Sequence, residues 1–322
     1  MSEAAGHLIW VLVAVGGLWL ATLLTLRGAG RMSRTSDTVQ ALLGTLVLGV
    51  GTNLPELAVA IAGAARLPAG LDASGIVVGS ATGSAVAQTA LVLGAAGAVG
   101  SVIRRPGTAV RAGVPLAAAA LLVGLLALDG SLTRGDGFLL LSGFVIHAAI
   151  VVLRGGSFTG AGAEMIDQGL LPGAVLVGSG AVLAAVSAHG AVVHAVPLAD
   201  AAGASRTLVG VLIVGLGASL PELVIALGAA LGGRPALALG AALGNATFDL
   251  LVPLGAGALV HPLAVADATV RFDLPALLVA AALALLLVPR THGTSITPRD
   301  RRRALALAAF FLAFAIARIV VG

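Results

Sequence analysis

The chain has 322 residues, 59% of them hydrophobic and only 10% charged, with a mean hydropathy of +1.10 and a net charge of +4. Soluble domains carry about 25% charged residues, so a soluble fold is excluded, and apolar runs that are continuous rather than alternating exclude a β-barrel. The absence of cysteine rules out disulfides, thiol catalysis and thiolate metal sites, and no basic run interleaved with aromatic residues marks a nucleic-acid surface.

A helix needs about 20 mostly apolar residues to cross a bilayer. The first such run covers 7–26. The segment before it (MSEAAGH) carries no basic residue, whereas Arg27, Arg31 and Arg34 follow it. That order is the reverse of a secretory signal and predicts a retained helix with its N-terminus outside. Further runs at 40–64, 74–100, 109–128, 137–154, 169–200, 206–232, 236–260, 272–289 and 303–321 bring the count to about ten. The fold class expected is an all-α membrane protein. The sixth run is long, and a bend or exit from the membrane is expected near His189–Gly190. Lysine is absent, so arginine alone reports orientation. With both termini outside, thirteen arginines fall on inside segments and five (Arg66, Arg134, Arg206, Arg271, Arg318) on outside ones, as the positive-inside rule requires. The location expected is the cell membrane, with multiple passes.

The polar, Gly-rich stretch 155–168 divides the chain into halves, 1–154 and 169–322, of five spans each. An odd number of spans per half requires the halves to lie upside down relative to one another, the inverted-repeat plan of many secondary transporters. The halves share motifs. Residues 51–57 read GTNLPEL and 217–223 read GASLPEL; each is followed by a glycine-spaced helix, GIVVGSATGSAVAQ at 75–88 and LALGAALGNATFD at 237–249.

Of fourteen acidic residues, only Glu56, Glu222 and Asp249 fall well inside predicted spans, with no basic residue at the same depth. Each costs roughly 2.5–3.5 kcal/mol at a helix centre on insertion scales, and a bound cation is the direct compensator. Pro55 and Pro221 remove the helical bond to the carbonyls of Gly51 and Gly217, which then need another partner in a bilayer. Thr52, Asn53 and Ser219 add oxygens beside them. Ser84 and Gln88 share one helix face, as do Asn245 and Asp249 four residues apart. Glycines 75, 79 and 83, and 240 and 244, form stripes that let helices approach closely. The donor set is all oxygen, which suits hard cations, Ca²⁺ above all. His147 reads as a packed residue, His189 and His194 as incidental, and Arg301–Arg303 as an inside anchor at anionic lipid. No nucleotide loop or nucleophile–base pair suggests an enzyme.

The two Pro-Glu motifs, each with its following helix, resemble the cation/Ca²⁺ exchanger superfamily, specifically its prokaryotic sodium/calcium exchanger branch, over essentially the whole chain. The resemblance implies exchange of Ca²⁺ against Na⁺ by alternating access, with the first and sixth helices sliding against the rest. It implies that Glu56 and Glu222 are the central Ca²⁺ carboxylates, joined by Asp249, Thr52, Asn53, Ser219, Ser84, Gln88 and Asn245. The transported ions would be the only small-molecule requirement, with no cofactor and no obligatory protein partner, and the bilayer as surroundings. Ala218 stands where the family has Thr, Asn53 where it has Ser, and Gln88 where Asn or Asp is usual; Ser80 and Ala241, and Ala85 and Ala246, replace the asparagines of the helix motif. These departures touch Na⁺ coordination and leave the three carboxylates intact. A Ca²⁺/H⁺ antiporter is the rival reading, since carboxylates can carry protons; a cation channel and a non-transporting scaffold are more distant ones.

Overall fold

A computed structural model describes residues 3–32, 51–100, 102, 107, 109–153, 170–232, 235–288 and 297–321. The first half of the predicted 40–64 span and the 155–168 connection lie outside the described residues.

The described part of the first half comprises α1 (Glu3–Met32), α2 (Leu54–Ala64), α3 (Ser74–Val99), α4 (Arg111–Asp129) and α5 (Arg134–Leu153). The second comprises α6 (Leu170–Ala202), α7 (206–218), α8 (Leu220–Leu231), α9 (Pro235–Val260), α10 (Thr269–Leu287) and α11 (Pro298–Val321). Helices α7 and α8 are the two parts of one interrupted span. Nine spans among the described residues are long and apolar enough to cross a membrane. With α2 they make ten helices in two sets of five.

The two sets are inverted copies. Helices α1 and α6 occupy equivalent places and run antiparallel: a Cβ at Gly28 would fall 2.6 Å from the Gly173 carbonyl oxygen, and one at Gly17 would meet Ser187. Local chemistry repeats too. Thr133 caps α5, bonding the Asp136 amide at 3.3 Å while Asp136 accepts from the Thr133 hydroxyl at 2.7 Å. Thr297 and Asp300 make the same reciprocal pair at the start of α11, at 3.2 and 2.6 Å. Both are capping boxes with Asp at the third helical position. Helices α4 and α10 also match: a π-helical turn, Ala109–Gly113 and Thr269–Asp273, leads into each, followed by a proline at the start of regular helix.

A two-stranded antiparallel ribbon joins the halves near one end. In it β1 (Ser131–Leu132) pairs β2 (Leu263–Ala264), with Leu132 opposite Leu263. Its approach is set by Gly130, whose φ of 82° suits only glycine.

Helix α3 is the centre of the bundle and is almost wholly buried, whereas α5 is mostly exposed at the periphery. Its glycine stripe explains how. A Cβ at Gly83 would lie 2.6 Å from the Cα of Val211, and one at Gly79 3.0 Å from the Val211 nitrogen, so α3 and α7 pack backbone to backbone. Helix α6 is long, as expected. It continues without a break through His189 and Gly190 to Ala202, carrying Pro197 inside. A Cβ at Gly190 would lie 3.7 Å from the Ala14 side chain of α1, an ordinary contact.

Candidate cation site

The Pro-Glu segments form half-length helices. Asn53 (φ −98°, ψ 18°) and Ser219 (φ −80°, ψ 1°) leave helical geometry, and α2 and α8 begin at the next residue, with Pro55 and Pro221 in the first turn. A proline there costs nothing, because a first-turn N–H has no helical acceptor. The interruption therefore falls two residues after Gly51 and Gly217, and Glu56 and Glu222 lie in the first turn of the downstream helices. The two glycines serve contact with α1: a Cβ at Gly51 would meet the Thr25 methyl at 2.9 Å, and one at Gly217 a Val15 methyl at 2.7 Å.

Helix α3 brings the ligand set together. Its Ser84 hydroxyl donates to Glu56 Oε1 at 2.9 Å and lies 2.7 Å from the Ser219 hydroxyl, which also reaches the Gly215 carbonyl at 3.0 Å. Gln88, one turn on, donates to Ser84 at 3.2 Å and to Asp249 Oδ2 at 2.9 Å. Gln88 stands in a π-helical turn, Ala87–Val92, interrupting α3. Such bulges re-aim side chains and are frequent at functional sites. One buried chain of hydrogen bonds thus runs from Glu56 through Ser84 to Ser219 on one side and through Gln88 to Asp249 on the other. It links α2, α3, the α7–α8 junction and α9.

All these side chains are buried. Glu56, Ser84, Gln88 and Asp249 are fully inaccessible, Ser219 is 1% and Glu222 4% exposed. Glu222 lies in the first turn of α8. Glu56 Oε2, both Glu222 oxygens, Asp249 Oδ1 and Gln88 Oε1 have no hydrogen-bond partner. Thr52 and Asn53 are also buried, the Asn53 amide donating to Thr52 Oγ1 at 3.1 Å. Asn245 is half-buried on α9, one turn before Asp249, and makes no hydrogen bond within the cluster. Among the described residues, no three carboxylate or imidazole side chains are drawn together closely enough to hold a metal ion by themselves. The carboxylates are instead spaced by hydroxyl and amide groups.

One buried charged pair escaped the reading of the sequence. Asp273, expected at a span end, and Arg318, expected on an outside segment, are both fully buried, with Nε and Oδ1 2.9 Å apart. The bundle therefore does hold a buried basic residue, although it faces Asp273 rather than the three carboxylates. The sign in the sequence was a lone arginine inside the last apolar run. His7 and His194, far apart in sequence, meet with their Nδ1 atoms 3.1 Å apart.

The sodium/calcium exchanger protein profile matches residues 6–153 and again 172–320. The chain belongs to the sodium/calcium exchanger family. Similar proteins include the putative antiporter CaxA of Alkalimonas amylolytica, 32% identical over 274 residues, covering 83% of this chain and 84% of the relative. A 116-residue stretch, 36% of this chain and 32% of the relative, is 34% identical to the sodium/calcium exchanger MaX1 of Methanosarcina acetivorans. Among solved structures, the sodium-calcium exchanger NCX_Mj soaked with Na⁺ and Sr²⁺ superposes with a TM-score of 0.61 at 25% identity, covering 98% of this chain and 97% of the other. The family's double match coincides with the two sets of five helices, and its members are membrane transporters rather than enzymes.

Proposed function

We propose that this chain is a secondary active antiporter that exchanges Ca²⁺ for Na⁺ by alternating access. Glu56, Glu222 and Asp249 are its cation carboxylates, midway through the bundle. Ser84, Ser219, Thr52, Asn53, Gln88 and Asn245 are the neutral oxygen donors, and Gly51 and Gly217 the candidate carbonyl donors. The observation that carries this reading is the fully buried chain Glu56–Ser84–Gln88–Asp249, which joins both repeats while leaving carboxylate oxygens without partners. A buried carboxylate oxygen with no donor is costly, and a hard cation with many oxygen ligands satisfies several at once. Three ionised carboxylates balance one Ca²⁺ with charge to spare, or several Na⁺, so the two loads compete for the same oxygens. That competition is the physical basis of exchange.

Proton coupling is the second reading. It is favoured by the buried Ala218, which offers no hydroxyl where a family member would hold Na⁺. Orientation with both termini outside is proposed on the arginine distribution, thirteen inside to four outside once the buried Arg318 is set aside. A cell-membrane location belongs to the same proposal.

The test is radiolabelled Ca²⁺ uptake into proteoliposomes loaded with Na⁺ and diluted into Na⁺-free buffer at clamped pH. Uptake that requires internal Na⁺ is expected, and Glu56→Gln and Glu222→Gln should abolish it while inserting normally. Uptake that ignores Na⁺ but follows a pH gradient would replace the counter-ion. Normal transport by both inserted variants would overturn the site.

A further inference from the structure

The contact between His7 and His194 is unlike the other polar contacts of the bundle. The two imidazoles come from antiparallel helices, α1 and α6, and turn the same atom toward each other, Nδ1 to Nδ1 at 3.1 Å. Their rings are 5.3 Å apart between centroids and inclined by 42°, and the indole of Trp10 stacks on His194 at 5.7 Å and 15°. The pair is partly buried. The helices that carry it are held in register by backbone-close contacts, Gly17 on Ser187 and Gly180 on Ala21. Two imidazole nitrogens are therefore preset at a fixed separation by rigid elements, which is what a chelating pair needs.

We propose that His7 and His194 form a site for a transition-metal dication, separate from the carboxylate cluster and sharing no residue with it. The separation selects the metal. An ion about 2.1 Å from each nitrogen, with the nitrogens 3.1 Å apart, subtends an angle of about 95°. That is close to the right angle of square-planar or octahedral coordination, as Cu²⁺ and Ni²⁺ favour, and narrower than the tetrahedral angle of Zn²⁺. Hard Ca²⁺ and Na⁺ have no use for imidazole and are excluded. Without metal, one Nδ1–H donates to the other Nδ1. With metal, that proton moves to Nε2 of the same ring through solvent, and both Nδ1 lone pairs are given to the ion. Water completes the coordination. The bound ion staples α1 to α6.

Trp10 supplies the readout. The chain has two tryptophans and no tyrosine, so in a Trp19→Phe background Trp10 alone reports, through quenching by paramagnetic Cu²⁺ or Ni²⁺. The purified full chain in detergent, with any affinity tag removed, is titrated with each chloride salt at mildly alkaline pH. Saturable quenching is expected, tighter for Cu²⁺ than for Ni²⁺ and absent with Ca²⁺. His7→Gln leaves the Trp10–His194 stack in place and should weaken binding about tenfold or more, since one of two ligands is lost; His194→Gln should do the same. Glu56→Gln should leave the titration unchanged. Unaltered quenching in a folded His7→Gln protein would overturn the proposal, and so would loss of quenching in Glu56→Gln, which would place the ion among the carboxylates. If His7→Gln elutes as misfolded protein, His7→Ala and diethyl pyrocarbonate protection by Ni²⁺ at His7 and His194 decide the matter: no protection refutes the site.

Discussion

Replacing Arg318 by methionine removes one half of a fully buried ion pair and keeps most of the side-chain length. At 2.9 Å, two unit charges attract by about 6 kcal/mol at an effective dielectric of about 20. Most of that attraction offsets the cost of having taken both charges out of solvent. Removing only the guanidinium leaves Asp273 buried beside Thr269, with no cation to answer it. Losses of about 3–5 kcal/mol are usual when one partner of a buried pair is deleted. The double variant Asp273→Leu/Arg318→Met removes both charges, and its stability should return to within about 1 kcal/mol of the parent or exceed it, since apolar replacement of such pairs is often neutral or stabilising. Phe272 and Phe314, stacked at 5.7 Å and 11° next to the two positions, would accept the new methyl and methylene groups. The assay is reversible unfolding in mixed micelles, read by tryptophan fluorescence for the parent, both single variants and the double. A coupling energy above about 2 kcal/mol is expected from the cycle. If Arg318→Met is no less stable than the parent, or if the double variant loses as much as the sum of the singles, the pair does not hold α10 to α11 and the reasoning fails.

Ser84→Ala removes the hydroxyl that touches Glu56, Ser219 and Gln88 at once; each hydrogen bond to a charged group is worth about 1.5–3 kcal/mol, so the KM for Ca²⁺ in the flux assay should rise about tenfold or more with expression unchanged. Gly83→Ala should destabilise the protein by about 1–3 kcal/mol, because its Cβ would be forced against the backbone of Val211, whereas Gly178→Ala, with nothing within 4 Å, should be neutral or slightly stabilising; the comparison is made by thermal aggregation in detergent. Thr133→Ala and Thr297→Ala each remove one capping box, and each should cost about 1 kcal/mol, read as a similar small drop in unfolding midpoint for the two inverted sites.

Much of the architecture was written in periodic features that local physics enforces. Long apolar runs mark helices because a bilayer leaves no other partner for backbone groups, and nine of them reappear among the described residues. The recurrence of Leu-Pro-Glu predicted two interrupted helices, and the breaks occur at Asn53 and Ser219. Glu56, Ser84, Gln88, Ser219 and Asp249 stand out by residue type and spacing, and they form one hydrogen-bonded chain. What was hidden depends on contacts between distant segments or on small backbone adjustments. Asp273 lies five residues into α10, where a linear reading sees only a helix end, and its burial depends on α11 crossing above it. The π-helical turn at Gln88 has no distinctive composition. His7 and His194 are 187 positions apart, and only the antiparallel packing of α1 on α6 unites them.

The contact between Gln88 and Asp249 has a meaning that follows from the inversion. The two residues end equivalent motifs in the two repeats, GSATGSAVAQ and GAALGNATFD. Equivalent residues of inverted repeats touch only where the two-fold axis passes, so their 2.9 Å hydrogen bond marks that axis. A strictly symmetric site would set two aspartates face to face there. Two carboxylates in hydrogen-bond contact cannot both stay ionised without a cation between them. With Gln88, one side of the axis carries a donor amide and the other a carboxylate, so the two meet in a hydrogen bond rather than as like charges. Glu56 Oε2, both Glu222 oxygens and Asp249 Oδ1 remain without a hydrogen-bond partner. The departure from symmetry thus lowers the charge at the axis while keeping the Pro-Glu pair intact. On the proposed function, Ser84 and Gln88 tie the two repeats together at the centre, and a cation would gain most from the oxygens those two side chains leave free.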